Sequence, residues 1–537
     1  MNSTTNSLPW ATPILVLATV DDGSNFNDAF HMTIASVAVI TVLLVGSLSL
    51  WRTTSDHCIP SGPWGLPILG SFPFLTNYPE LTLDHWAKKF GPIYSLKLGN
   101  QLFVVLSDPG VVKDIMITNG AIFSSRRNMF IKAQTILKGR AITSSGYTDR
   151  WRRHRRIAAA FFQPRVIDAY NGDIDIEAAS MIKCMYEASC GGAVSINPAR
   201  HAGRYFMNNM LTITFGMRTH SYDDPMVVEV LRMSREFMNC TGPLSNLIDY
   251  VGFLQYIPTS MRSRGRKLHS DFKKTYGDLI RNIDAKMKQG ACVSHCLTKT
   301  MLEIREKEGL DELDMTMLAS AFMVAGVETP AGIISWFIAL VSTRPEIQAK
   351  AHAELNSVVG RKRMPSIDDL ENLTYCRSII KEVERFRNPF WLGTPHASTE
   401  DFQYNGYYIP KDTVVICNTY TMHFNAQRYP DPFVFNPDRY ADDILSSSES
   451  SNLPDPYQRD HWMYGVGRRI CPGSAFADRS LLLAISRLLW AFQISEVLGE
   501  PIDLTEYDGL SGRSPLPYNA MFRPRHNVSA ILENVPL

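Results

Sequence analysis

Two stretches of the chain are more apolar than a surface helix would be. Between Met32 and Trp51 no charged residue occurs, and that length can span a bilayer as a helix. Met315 to Ser342 is too apolar to lie on a surface, so this helix is expected to cross the protein interior. Elsewhere apolar residues recur at helical spacing, as in Ala178–Glu187, Asp271–Lys288 and Arg344–Val358. Ile93–Leu98 and Gln101–Leu106, joined by Gly99-Asn100, predict a β-hairpin. Tyr407–Ile409 and Thr413–Cys417 predict short strands around a Pro-Lys-Asp turn. The Ser-rich residues 445–456 predict a surface loop. Together these elements describe a mainly α body with small β-sheets at one side, as one domain.

The ends of the first apolar run carry information on topology. Residues 1–31 contain no Lys or Arg but include Asp21, Asp22 and Asp28, whereas Arg52 follows the run at once. This asymmetry puts 1–31 outside as a luminal segment, 32–51 through the membrane, and the body in the cytosol. Asn2, in Asn2-Ser3-Thr4, is then a glycosylation acceptor, while the triplets at Asn239, Asn372 and Asn527 would face the cytosol unused. A cleaved signal peptide fits less well, because Ile14–Val20 lacks a basic leader and is broken up by Pro9 and Pro13. From Ile59 to Gly70, repeated Pro and Gly give a stiff linker within a hinge at 52–70, followed by the main body at 71–537.

Charge and cysteine content narrow the function classes. The chain has 54 basic and 53 acidic residues, a formal +1, which gives no support to nucleic-acid binding. Nine cysteines form no CxxC pair and no zinc spacing. Cys292 and Cys296 stand at helical i, i+4 spacing, but no second pair completes a site. The odd, scattered count suggests a reduced compartment for the body.

Candidate chemistry concentrates in Tyr464-Gly465-Val466-Gly467-Arg468-Arg469-Ile470-Cys471-Pro472-Gly473. Glycines at 465, 467 and 473 let the backbone adopt positive φ and pass close to a planar partner. Arg468 and Arg469 favour thiolate over thiol at Cys471. Such a thiolate is suited to be the axial ligand of a haem iron, where it favours O–O cleavage. The pattern Tyr-x-x-Gly-x-Arg-x-Cys-x-Gly resembles the haem loop of the cytochrome P450 family of haem-thiolate monooxygenases. The family usually has Phe where this chain has Tyr464, whose hydroxyl then needs a partner. The resemblance spans roughly residues 60–527 and implies the P450 fold behind a single N-terminal transmembrane helix. It also implies residence in the endoplasmic reticulum membrane, and 59–70 resembles the proline-rich hinge of microsomal members.

Further segments match in the family's order. Ala325-Gly326-Val327-Glu328-Thr329-Pro330 resembles the oxygen-activation motif. It implies small residues against the haem face, a Thr329 hydroxyl that holds water or distal oxygen, and Glu328 feeding protons inward. Pro330 departs from the usual Thr or Ser. It removes an N–H and crowds the Gly326 carbonyl, so a kink is expected there. Glu382 and Arg385, with Arg439, resemble the family's buried Glu-x-x-Arg network. Trp151, Arg155, His396 and Arg469 match the haem-propionate partners. The other basic residues of the 151–156 run could dock an acidic electron donor.

For substrate contact the resemblance points to Met129–Leu137, to Ala321, Val324 and Ala325, to Phe390, Trp391 and Leu392, and to a turn at Leu516–Tyr518 including Tyr518. Phe390 and Trp391 are expected to form an aromatic wall. Glu384–His396 and the haem-loop flanks look most like filamentous-fungal members of secondary metabolism. That implies hydroxylation of a small aromatic polyketide or phenol, with haem b held by Cys471 as cofactor. Electrons would come from NADPH through a flavin P450 reductase, with cytochrome b5 as a further donor. Terpenoid or indole oxidation is an alternative, as is a haem-thiolate isomerase or dehydratase that needs no reductase. A haem protein without turnover and an integral-membrane scaffold are weaker readings.

Overall fold

Alternation of side chains in 93–106 is realised as the antiparallel hairpin β1 (Ile93–Leu98) and β2 (Gln101–Leu106), turning at Gly99 with φ of 58°. A side chain at Gly99 would also collide with the Tyr250 carbonyl, so only glycine suits this turn. The computed structural model describes Ser36, Thr41, residues 58–533 and Val535. Asn2 and most of the segment expected to span the membrane therefore lie outside the described residues. The body, His57–Leu537, is a single compact unit.

The remaining strands are short: β3 (His396–Ala397), β4 (Phe402–Tyr404), β5 (Tyr407–Ile409), β6 (Val414–Cys417), β7 (Phe492–Glu496), β8 (Tyr507–Asp508), β9 (Ser514–Pro515) and β10 (Ala520–Pro524). One sheet has the order β1-β2-β6-β3, with β2 and β6 parallel. β5 and β6 do not pair with each other across the Pro-Lys-Asp turn. β5 pairs with β4, and β6 joins the larger sheet. This sheet matters for function because β3 delivers His396.

The longer helices are α1 (Pro79–Phe90), α2 (Asp149–Ala160), α3 (Asn171–Ala188), α4 (Ala199–Phe215), α5 (Pro225–Cys240), α6 (Ser260–Lys288), α7 (Leu297–Glu308), α8 (Glu312–Ser342), α9 (Pro345–Val358), α10 (Thr374–Phe386) and α11 (Ser474–Ala491). α8 has 31 residues, and its most apolar 18-residue stretch has a mean hydropathy of 1.7, long and apolar enough to cross a membrane, yet 78% of that stretch is buried in the body. It packs chiefly on α4, and also on α5, α6 and α11. Each fully buried large side chain there contributes roughly 1.5–3 kcal/mol. A reciprocal cap fixes its start: Asp314 N donates to Asp311 Oδ1 at 2.7 Å and Asp311 N to Asp314 Oδ2 at 3.3 Å.

Pro330 does not interrupt α8, which is α-helical throughout 325–330. The expected kink is not seen as a break. Packing on both sides holds the helix while the Gly326 carbonyl lacks its i+4 donor. The Ser-rich stretch also departs from expectation. Ser447–Ser450 is a helical turn with Ser447, Ser448 and Ser450 buried against α11. No disulfide forms among the described residues, and all nine cysteines are free.

Candidate active site

A cavity of about 340 Å³ opens between α8 and the loop that precedes α11. Cys471 lines it three residues before α11 begins at Ser474. Its backbone N–H donates to the Tyr464 carbonyl at 2.9 Å, which closes the loop. Gly467 has φ of 59°, and a Cβ there would stand 2.7 Å from the Met116 carbonyl. Gly473 has φ of −97° and serves as the N-cap of α11, so positive φ is not its role. Burial pushes the Cys471 thiol up, opposed by the Gly473 backbone N–H and the Arg155 guanidinium. The basic neighbour of the sulfur is thus Arg155 of α2. Arg468 is turned outward, donating to the Tyr147 hydroxyl at 2.8 Å.

Cations crowd one edge of the cavity. Arg126, Arg155, Arg469 and His396 all line it. Arg469 is spent on three carbonyls, those of Ser124 (2.8 Å), Ile142 (3.1 Å) and Ser145 (2.8 Å). Arg155 donates to the Ile470 carbonyl and Arg126 to that of Thr394. The buried Nε of Arg126 has no acceptor. Burial lowers the pKa of all three arginines, that of Arg469 to about 9 with Arg155 as the next cause. Burial, then Arg126, holds His396 well below its usual value, and its Nδ1 lies 2.6 Å from the Phe123 carbonyl. Among the described residues none of these arginines has a carboxylate partner. An anionic group at this edge would relieve the stacked charge. The two carboxylates of a haem fit that need, with an apolar slot for its flat body and Cys471 for its iron. Trp151 does not line the cavity. Its Nε1 donates to the Ile142 carbonyl at 3.0 Å, and the Arg469 guanidinium lies 3.9 Å over its ring. It supports Arg469 instead.

On the opposite side α8 presents Val324, Ala325, Gly326 and Thr329. The missing side chain of Gly326 makes room for Met210 of α4, whose Sδ a Cβ would overlap, so this glycine serves helix packing as well as the cavity. Glu328 is outside the lining. Its Oε1 accepts from Arg235 of α5, which also donates to Ser514 Oγ at 2.9 Å and lies 3.5 Å from Asp508.

The cavity wall differs from the expected one. Phe390 and Leu392 line it, but Trp391 is buried in a separate cluster, edge-on to Tyr420 at 5.1 Å. Tyr518 also points elsewhere, donating to the Ser335 carbonyl at 2.5 Å. Phe390 shares the aromatic wall with Phe162, Phe206, Phe237 and Phe272; of these only Phe272 lies in a stretch marked as helical from the sequence (Asp271–Lys288), and none was expected at the site. Periodicity marks these residues as buried but does not say which buried residues face a void. Lys132 falls in the Met129–Leu137 segment expected to contact substrate but was not singled out within it, and Arg126 was missed.

Beneath the loop two buried networks hold it. Glu382 takes Arg385 in a bidentate pair at 2.7 Å, receives the Asn436 N–H at 2.9 Å and lies 3.3 Å from Arg439. Arg385 also donates to the carbonyls of His423 (2.8 Å) and Pro432 (2.9 Å), which fixes the strand of chain leading to the loop. The Tyr464 hydroxyl lies between two buried carboxyls, 2.9 Å from Glu384 Oε1 and 2.8 Å from Asp478 Oδ1. One hydroxyl proton cannot serve both, so one carboxyl must carry a proton of its own. Glu384 Oε2 already accepts from Ser447 Oγ at 2.5 Å and faces His461 Nε2 at 2.9 Å. The Asp478 pKa is raised to about 7 by burial and then by Glu384, so Asp478 takes up a proton far more readily than an exposed carboxylate.

A cysteine facing a largely apolar cavity, a helix with a small-residue stretch and a threonine opposite it, and unpaired cations at one edge define a haem-thiolate site. The cytochrome P450 family model matches residues 60–520. The chain belongs to the cytochrome P450 family, whose members carry a haem-thiolate iron, incorporate oxygen and generally need a redox partner. It is 31% identical over 497 residues to cytochrome P450 monooxygenase virE of Hypocrea virens, covering 89% of this chain and 88% of that protein. It is 30% identical to fogE of Aspergillus ruber (88% and 88% covered) and to patH of Aspergillus clavatus (86% and 88%), both also named cytochrome P450 monooxygenases.

Proposed function

We propose that this protein inserts one atom of dioxygen into a C–H bond of a small, lipophilic, ring-containing substrate, by class an aromatic polyketide or phenol. The observation that carries this reading is Cys471 and Thr329 facing one phenylalanine-walled cavity whose edge holds three arginines without carboxylate partners. When bound, haem supplies the redox and oxygen-activating chemistry. Cys471 would hold its iron, and Arg126, Arg155, His396 and Arg469 its propionates. Thr329 Oγ would hold a water at the cavity surface. Glu328 would supply protons from the outer face of α8, which requires it to exchange Arg235 for a path inward. The phenylalanine walls exclude bulk water from the reacting centre. Electrons would arrive from NADPH through a flavin reductase, and the 32–51 run supports attachment to the endoplasmic reticulum membrane.

The test is spectral and then stoichiometric. Purified protein, reduced under carbon monoxide, is expected to give the long-wavelength Soret band of thiolate-ligated ferrous haem, and Cys471→Ser to lose it. With reductase, NADPH consumed should match product formed. Product without NADPH would favour an isomerase or dehydratase, and absence of the band from the wild type would end this reading.

A further inference from the structure

Lys132 stands on the π-helical turn Phe130–Ile136 and lines the same cavity as Cys471 and Thr329. Its side chain is only 9% exposed. Among the described residues its ammonium has no hydrogen-bond acceptor and no carboxylate in ion-pair contact. Its near neighbour is the face of Phe237, whose centroid lies 5.8 Å from Nζ. A lysine this deeply buried is rarely left without a counter-charge. Burial and then Arg126 bring its pKa down to about 8, with Asp249 opposing, so it remains cationic at neutral pH.

The ammonium is held there by a clamped turn. Ile131 N donates to Asp249 Oδ1 at 2.9 Å, and Thr135 Oγ1 to the Phe130 carbonyl at 2.8 Å. Gly265 of α6 lets the turn approach closely, since a Cβ there would stand 3.2 Å from Thr135 Cγ2. Lys132 lines a small pocket together with Arg126 and differs from the rim cations in its bonding. Arg126, Arg155 and Arg469 bond to carbonyls of Thr394, Ile470, Ser124, Ile142 and Ser145. Lys132 makes none of those contacts and meets α5 through Phe237.

We propose that Lys132 anchors a carboxylate on the substrate, so that the cavity selects small ring-containing acids and holds them acid-first with the ring turned toward Thr329. The proposal rests on the monooxygenase reading of the cavity and adds the substrate's charge to it. The phenylalanine and methionine walls suit a ring, and the ammonium suits one compact anion at its end.

Matched probes test it: 1-naphthoate against 1-naphthamide, and 2-hydroxybenzoate against 2-hydroxybenzamide. Binding is read on haem-loaded full-length protein by Soret shift and by calorimetry. Wild type is expected to bind each acid roughly tenfold or more tightly than its amide, as one partly buried charge-assisted pair allows. Lys132→Met should bring that ratio close to one, and Lys132→Arg should retain most of it. Haem content of Lys132→Met should stay at the wild-type level, with a melting temperature equal to or above wild type, because an unpaired buried charge has gone. Equal binding of acid and amide by wild type would overturn the proposal, as would a Lys132→Met variant that keeps the preference or fails to retain haem. The reduced carbon-monoxide band of the wild type keeps the outcomes apart. With the band present and no acid preference, only the anchor is lost. Without the band, the reading beneath it falls as well.

Discussion

Glu382 and Tyr464 show what single residues contribute below the cysteine loop. Glu382→Ala would leave Arg385 and Arg439 as cations without their shared carboxylate, at a cost of about 3–5 kcal/mol. The expected outcome is loss of haem and a lower unfolding midpoint, checked by haem content and thermal denaturation. Tyr464→Phe keeps the ring beside the loop but removes the hydroxyl between Glu384 and Asp478. Haem content should persist while stability falls by about 1–3 kcal/mol, because two buried carboxyls lose a partner. Normal stability in that variant would mean that the two acids repair the gap themselves. The loop around Cys471 was legible in the sequence because its residues are contiguous and their types are chemically constrained. The partners of Tyr464 were not, since Glu384 and Asp478 come from separate segments and Glu384 is in turn held by Ser447 from a third. A Ser-rich stretch reads as loop until buried acids are found that need its donors.

The element that organises the site is α8. Its apolar pattern announced an interior helix over Met315–Ser342, and the structure starts it three residues earlier, at Glu312, behind the Asp311–Asp314 cap. Side-chain direction around it was less legible. Gly326 reads as room for a cofactor, yet its bare face also admits Met210 of α4. Gly326→Ala is expected to destabilise by about 1–3 kcal/mol through overpacking. Adding Met210→Ala should recover much of that loss, and a double-mutant cycle by denaturant unfolding measures the coupling. Trp391 and Tyr518 teach the same lesson from the other side. Both sit in segments that flank the cavity, but Tyr420 and the Ser335 carbonyl draw them away from it. Sequence spacing identifies a segment near the site, while competing partners decide which way each ring turns.

At the scale of the whole molecule, the cavity edge gathers positive charge that the protein does not neutralise by itself. Arg126, Arg155 and Arg469 are each lowered in pKa by burial. Haem-depleted protein is therefore expected to be less stable than the loaded form by about 2.7 kcal/mol for a ligand present at a hundredfold its dissociation constant, with a correspondingly lower unfolding temperature. Reloading haem should restore the midpoint, and calorimetry of both forms checks it. Fold class was legible because helical periodicity dominates 150–390 and the hairpin carries its own turn signal. Strand partnership was not, since β2 and β6 pair across some three hundred residues and no local pattern encodes that.

The apolar length of α8 has a consequence for biosynthesis. During translation its residues leave the ribosome after α4, α5 and α6 but before α11, β7 and β10 exist. For that interval a segment with the hydropathy of a membrane span has only part of its final cover. A nascent chain handled at a membrane could therefore be threaded the wrong way unless the earlier helices capture this segment promptly. Early docking of α4 onto it would thus guard topology in the cell as well as shape the pocket.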